Sequence, residues 1–259
     1  MSDTDLTTRL THPDYPRSNT YDARWTIENQ MGPHALWLLE WLAPALGLDT
    51  LPPGARVLDL GCGRAMTSVF LAKEYGLQVT AADLWVKPDE NAVRIAEAGV
   101  ADRVLPLRVE AHDIPFGEGT FDAIVSIDAY QYFGTADLYL PTLTRLLKPG
   151  GRIGVVMPAL REELAGEPPE HLKPFWDPGF WAFHSPAWWR RHWTRGGGVE
   201  VETADWQPDG WKDWLLWSEV CAEESPYAWM ADMARESVDL VKADRGQLLG
   251  FTRVVGRRM

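Results

Sequence analysis

The chain has 259 residues, a formal charge of −12 and an ordinary apolar fraction, enough for one large α/β domain or two small ones. The acidic balance opposes phosphate backbones and anionic lipid surfaces, and Arg190-Arg191 and Arg257-Arg258 are isolated basic pairs. Cys62 and Cys221 alone make no disulfide framework or cysteine zinc site, and no apolar run reaches membrane-spanning length.

Residues 1–20 hold Pro13 and Pro16 and no periodicity, which reads as a loop or a mobile arm. Tyr21 to Met31 is polar around Trp25 and Ile27, and His34 to Leu46, rich in Leu and Trp after Gly32-Pro33, reads as an amphipathic helix. Together residues 1–50 form an N-terminal arm and helical cap. The breaker Pro52-Pro53-Gly54 precedes Val57-Leu58-Asp59-Leu60, a short run that suits a buried parallel strand. Gly61-Cys62-Gly63 follows, then a helix over 64–75 with Met66, Val69, Phe70 and Leu71 on its apolar face. The two glycines permit a tight turn, and the turn offers helix N-terminal amides to a ligand above the sheet edge.

Further strand–helix steps follow at 78–82 with 89–98, at 103–109 (interrupted by Pro106 and Arg108) and at 121–127 with 136–147. Lys148-Pro149-Gly150-Gly151 then stops the helix before a strand at 153–157. This alternation predicts a parallel, doubly wound sheet. The last third differs. Pro158 to His184 is rich in proline and aromatic residues, Ser185-Pro186 starts a helix over 187–195, and 199–206 alternates as a strand. A second insertion at 207–246 carries Trp211, Trp214, Trp217 and an acidic helix near 227–243, before a final strand over 248–255. Ten of the 14 tryptophans lie between Pro158 and Gly246, as the core of a lid or as the lining of an acceptor pocket.

A dinucleotide fingerprint needs a third glycine at the position held here by Met66. Asp59 stands two residues ahead of Gly61, and Asp83 ends the second strand, where a ribose-binding carboxylate belongs. With His112-Asp113-Ile114-Pro115-Phe116, Phe121-Asp122-Ala123-Ile124 and Leu147-Lys148-Pro149-Gly150-Gly151, these motifs fall in one order. In that order the chain resembles the class I S-adenosylmethionine-dependent methyltransferases, over roughly residues 30–157. Met31-Gly32-Pro33-His34, Asp83-Leu84-Trp85 and Ser126 to Tyr130 also resemble a bacterial small-molecule group labelled cyclopropane-synthase-like.

The resemblance implies a single domain over 1–259 with a Rossmann-like, seven-stranded, mostly parallel sheet whose last strand runs antiparallel between its two predecessors. Residues 51–157 would be the cofactor core, and the insertions 158–184 and 207–246 would roof the acceptor. S-adenosylmethionine would be the cofactor. Asp59, Gly61 and Gly63 would hold its methionine end, Asp83 with Leu84 its ribose and one adenine face, and Asp113 with Ile114 the adenine amino group. Asp128 sits beside the expected methyl group, or caps the turn after its strand, and Asp59 reads equally well as a loop anchor. His34 in the cap and Tyr132 are the catalytic candidates, with His112 and His184 as further bases.

Gln131 and Tyr132 stand where cyclopropane synthases carry an acid and usually a histidine, which argues against cyclopropanation. Two cysteines are too few for arsenite methylation. The expected partner is a small-molecule acceptor rather than nucleic acid or membrane, with no metal, a cytoplasmic location and a homodimer as an option. Two rivals stay open. One is a non-catalytic donor-binding regulator or scaffold; the other is a nicotinamide-dependent oxidoreductase, against which Met66 counts.

Overall fold

β1 (Arg56–Leu60) is buried along nearly its whole length, as its apolar run requires of a strand covered on both faces. The computed structural model describes residues 2–259. It contains six further strands: β2 (Gln78–Asp83), β3 (Val104–Arg108), β4 (Phe121–Ile127), β5 (Leu147–Leu160), β6 (Val199–Trp206) and β7 (Leu249–Arg258). They form one sheet in the order β3-β2-β1-β4-β5-β7-β6. β1 to β5 pair in parallel, and β7 runs antiparallel between β5 and β6. The fold is therefore the expected α/β, doubly wound one. Pro106 sits opposite Ala81 in β3, which pairs only with β2 and so tolerates a missing amide proton.

The two-residue period of the strands divides the interior into two layers. Val57 and Val79 face α3 (Ala35–Leu46) and α4 (Met66–Tyr75), where they meet Leu39, Leu42 and Phe70. Leu58, Leu60 and Ile124 face α6 (Tyr139–Thr144) and α7 (Pro186–Gly196), meeting Leu143, Trp189 and Trp193. α5 (Pro88–Glu97) adds Ile95 to the first layer. No helix among the described residues is long and apolar enough to cross a membrane.

Three stretches depart from the sequence reading. Residues 1–20 are not a loose arm: α1 (Asp3–Leu10), capped by the Ser2 side chain, buries Leu6 and Leu10. It shares a third apolar cluster with Tyr15, Ile27 of α2 (Ala23–Asn29), Trp37, and Trp217 and Val220 of α8 (Gly210–Glu224). A single Leu pair at i, i+4 is too weak a local signal, and the surface it covers lies two hundred residues away. Secondly, the tryptophan-spaced segment is α8 itself, packed against α9 (Ala228–Asp244). Thirdly, the helix expected over 136–147 shrinks to α6, because Leu147 pairs with Phe121 and β5 starts there. Lys148 is thus a strand residue, paired with Asp122 at 2.8 Å.

β7 is set by one buried side chain. Asp244, at the end of α9, accepts hydrogen bonds from the amides of Leu248 (3.0 Å) and Leu249 (2.8 Å), and His171 Nε2 lies 3.2 Å away. Asp244→Ala leaves both amides stranded and should lower stability by about 2–3 kcal/mol in urea unfolding.

Candidate active site

The turn after β1 folds back onto β2. Gly61 and Cys62 donate their amide protons to the Ala82 carbonyl at 2.8 and 3.1 Å, and the Gly63 amide donates to Asp83 Oδ2 at 2.8 Å. The other Asp83 oxygen accepts from the amides of Trp85 and Val86 at 2.7 and 2.9 Å. Gly61 and Gly63 both take left-handed backbone, with φ of 75° and 54°. A Cβ at Gly61 would lie 2.4 Å from the Ala129 Cβ, and one at Gly63 would lie 2.9 Å from the Met31 sulfur. Glycine is required at both places.

Above this turn lies a cavity of about 320 Å³, at the carboxyl ends of β1 to β4. It straddles β1 and β4, where the strand order reverses, the place at which open α/β sheets bind ligands. Leu60, Ala82 and Ile127 make an apolar floor, and Met31, Gly32 and Pro33 close it from the N-terminal cap. The cap loop is held from behind by Trp217, whose Nε1 donates to the Gly32 carbonyl at 2.9 Å. Three carboxylate residues, Asp83, Glu110 and Asp128, line the cavity against one guanidinium, Arg64. Arg64 is already engaged, donating to the Glu28 carbonyl at 2.5 Å and lying over the Tyr227 ring. The lining therefore suits a cationic ligand.

Of the expected residues, Gly61, Gly63, Asp83, Leu84, Asp128 and Tyr132 line this cavity together. Asp128 holds a left-handed backbone with φ of 55°, and its Oδ1 accepts from Gln131 Nε2 at 3.2 Å. Burial raises its pKa to about 7. Tyr132 stands at the mouth, with Trp85 6.4 Å away between ring centroids. Both rings are mostly exposed.

Four expected residues lie elsewhere. Asp59 is fully buried on the α4 side of β1, where Thr67 Oγ1 and Ser68 Oγ both donate to its Oδ2 at 2.6 Å. It anchors the helix to the strand, and burial lifts its pKa to about 6. His34 caps α3, with Nδ1 accepting from the Trp37 amide at 3.3 Å, and stacks on the Trp37 ring at 4.1 Å. Burial pushes its pKa down to about 3, so it is neither in the cavity nor basic enough to act as a base. Asp113 is exposed outside the lining, and Ile114 turns into the second core layer.

The residues that reach the cavity from β3 are Val109, Glu110, Ala111 and His112, because the strand already ends at Arg108. Glu110 is the acid the sequence reading missed; counting from the strand end, rather than from Pro115, would have found it. Its carboxylate lies 2.8 Å from His112 Nδ1. His184 is outside the lining, 3.0 Å from Glu163 and stacked on Trp188. Neither insertion lines the cavity. The segment at 158–184 comes close at one point, where the Asp177 charge acts on Tyr132. Four tryptophans of α7 and α8 are instead buried structure, among them Trp189 and Trp193 against the sheet and Trp217 behind the cap, while Trp188 and Trp211 are half-buried.

Residues 57–151 match the family model described as a methyltransferase domain. This segment, which holds β1 to the start of β5 and much of the cavity wall, is similar to a methyltransferase domain. The chain is 38% identical over 106 residues to the 2-methyl-6-phytyl-1,4-hydroquinone methyltransferase of Synechocystis, covering 40% of this chain and 32% of that one. To the norajmaline N-methyltransferase of Rauvolfia serpentina it is 28% identical over 158 residues, covering 58% and 54%. The matches thus span a third to a half of these curated relatives. Among solved structures, geranyl diphosphate C-methyltransferase from Streptomyces coelicolor, in complex with S-adenosylhomocysteine, shares the fold. The TM-score is 0.66 at 19% identity, covering 98% of this chain and 84% of that one.

S-adenosylmethionine is the cofactor that the resemblance implies, and the cavity fits it. A glycine cradle that a Cβ would fill lies beside Asp83 at the end of β2, and the acidic lining suits a sulfonium with an ammonium group. Asp83→Ala removes a carboxylate from the cavity lining and the anchor of the Gly63 amide. It should weaken S-adenosylmethionine binding by about 1–3 kcal/mol in calorimetric titration.

His34 supplies a test of its structural role. It is neutral in the fold at pH values where the unfolded chain, with a pKa of 6.5, binds a proton. The folded value is the lower one, so stability is lost as pH falls below 6.5. His34→Asn keeps a capping side chain and should remove about 2 kcal/mol of the loss between about pH 7.5 and 5, read by urea unfolding. Cofactor binding should be unchanged.

Proposed function

We propose that this protein is an S-adenosylmethionine-dependent methyltransferase acting on a small-molecule acceptor. The observation that carries the reading is the glycine turn tied to Asp83 under the Met31 to Pro33 cap, at the reversal point of the sheet. In this reading the Gly61 to Gly63 backbone and the cap hold the methionine end. Asp83 takes the ribose hydroxyls, Leu84 packs on the adenine, and Glu110 replaces Asp113 as the acid at its amino group. The bound cofactor supplies an already activated methyl group. What the chain must add is placement of the acceptor in line with that group and exclusion of water, and positioning of this kind is worth about 7–11 kcal/mol.

Met66 supports the reading against a nicotinamide cofactor: it stands where a dinucleotide turn needs glycine, and its side chain belongs to the cavity wall. Names among the relatives cover methyl transfer to a hydroquinone and to an alkaloid nitrogen, both small molecules.

Calorimetric titration of the purified protein with S-adenosylmethionine, S-adenosylhomocysteine and NAD tests the proposal. The expected outcome is binding of the first two at about micromolar Kd and none of NAD. Binding of NAD, or of none of the three, overturns it.

A further inference from the structure

Asp128 is not needed to build the cradle just described, yet its carboxylate lines the same cavity. Among the described residues Gln131 is the one hydrogen-bond partner of the carboxyl group, and Oδ2 receives no hydrogen bond. Burial and Gln131 are the influences that act on it, and no basic side chain is among them. The carboxyl group is half-buried in the cavity wall, and it sits on left-handed backbone at a strand end, a conformation that costs free energy for a non-glycine residue. The surrounding structure therefore holds this carboxyl group in place at a conformational cost.

Its neighbours say which side of the cavity it serves. A Cβ on Gly32 would fall 2.2 Å from Asp128 Oδ2, so the carboxylate lies directly under the cap loop, in space that only glycine leaves open. On the other side its charge acts on Tyr132, the exposed ring at the mouth that pairs with Trp85. Asp128 thus stands between the cap and an aromatic entrance. Ring faces attract cations, and Asp128, the lining acid that the donor leaves free in this reading, disfavours carboxylate, phosphate and phenolate acceptors.

Resting on the methyltransferase reading, we propose that Asp128 binds the acceptor and that the acceptor is a small primary or secondary amine. The amine donates an N–H to Oδ2, which turns its lone pair away from the carboxylate. As nitrogen forms its bond to the methyl carbon, the carbon–sulfur bond breaks and its electron pair stays on sulfur. The ammonium product then gives its N–H proton to Asp128 and on to solvent. Trp85 and Tyr132 flank the amine on its way in and stabilise its protonated form.

The test is calorimetric, on the protein saturated with S-adenosylhomocysteine, with 2-phenylethylamine and N-methyl-2-phenylethylamine as probes and 2-phenylethanol as their neutral counterpart. The amines should bind about tenfold or more tighter than the alcohol. Asp128→Asn, a residue that also accepts left-handed backbone, should weaken amine binding at least about 30-fold and leave the Kd for S-adenosylhomocysteine within about threefold. Amines that bind no better than the alcohol overturn the proposal, as does equal amine binding by the variant. Loss of S-adenosylhomocysteine binding in Asp128→Asn also overturns it and assigns the carboxylate to the donor's own ammonium. Failure of the wild-type protein to bind S-adenosylhomocysteine sinks the methyltransferase reading itself, so the two failures are told apart.

Discussion

The amides of Gly61, Cys62 and Gly63 all point back at the end of β2, two onto the Ala82 carbonyl and one onto the Asp83 carboxylate. This junction decides the rest of the site. It curls the chain after β1 tightly enough for α4 to start at Met66, and it holds Asp83 with three amide donors, leaving one acceptor position on the carboxylate for a ligand hydroxyl. Because β1 and β2 are parallel neighbours, their carboxyl ends reach the same height. The cavity can then open above the turn rather than beside it.

Around that junction the protein uses its buried polar groups as fasteners. Asp59 binds two hydroxyls of α4 from inside the sheet, and Asp244 binds the amides that start β7. Asp244 has donors on both oxygens, whereas Asp59 keeps one buried oxygen, Oδ1, without a partner. Asp128 differs from both in place: its carboxyl group has one donor and lines the cavity wall. Position, rather than the number of donors, separates the acids that serve the fold from the one that faces the cavity.

The cap is fastened in a different way. His34, Trp37 and Trp217 pack ring on ring, and Trp217 adds one hydrogen bond to the Gly32 carbonyl. The tryptophan-rich C-terminal third thus bears on the site from behind, by fixing the loop that covers it. Aromatic side chains suit this work, since they supply large rigid surfaces with few rotatable bonds.

The sequence by itself determined the strand–helix alternation, the glycine corner and the acid that ends β2, because each rests on local chemistry: apolar runs, backbone freedom, and the position of a strand's end. Only the tertiary structure decided which side chains face the cavity. Asp59 and Leu60 are adjacent, yet the alternation of a strand sends the first into the α4 layer and leaves the second on the cavity floor. Asp113 and Glu110 differ by three residues, and the end of β3 at Arg108 gives the cavity to Glu110. Likewise α1 is a helix because α8 and Trp37 lie against it, a surface made by residues distant in the chain. Local rules write the elements; which face meets a ligand depends on neighbours that the chain brings together only by folding.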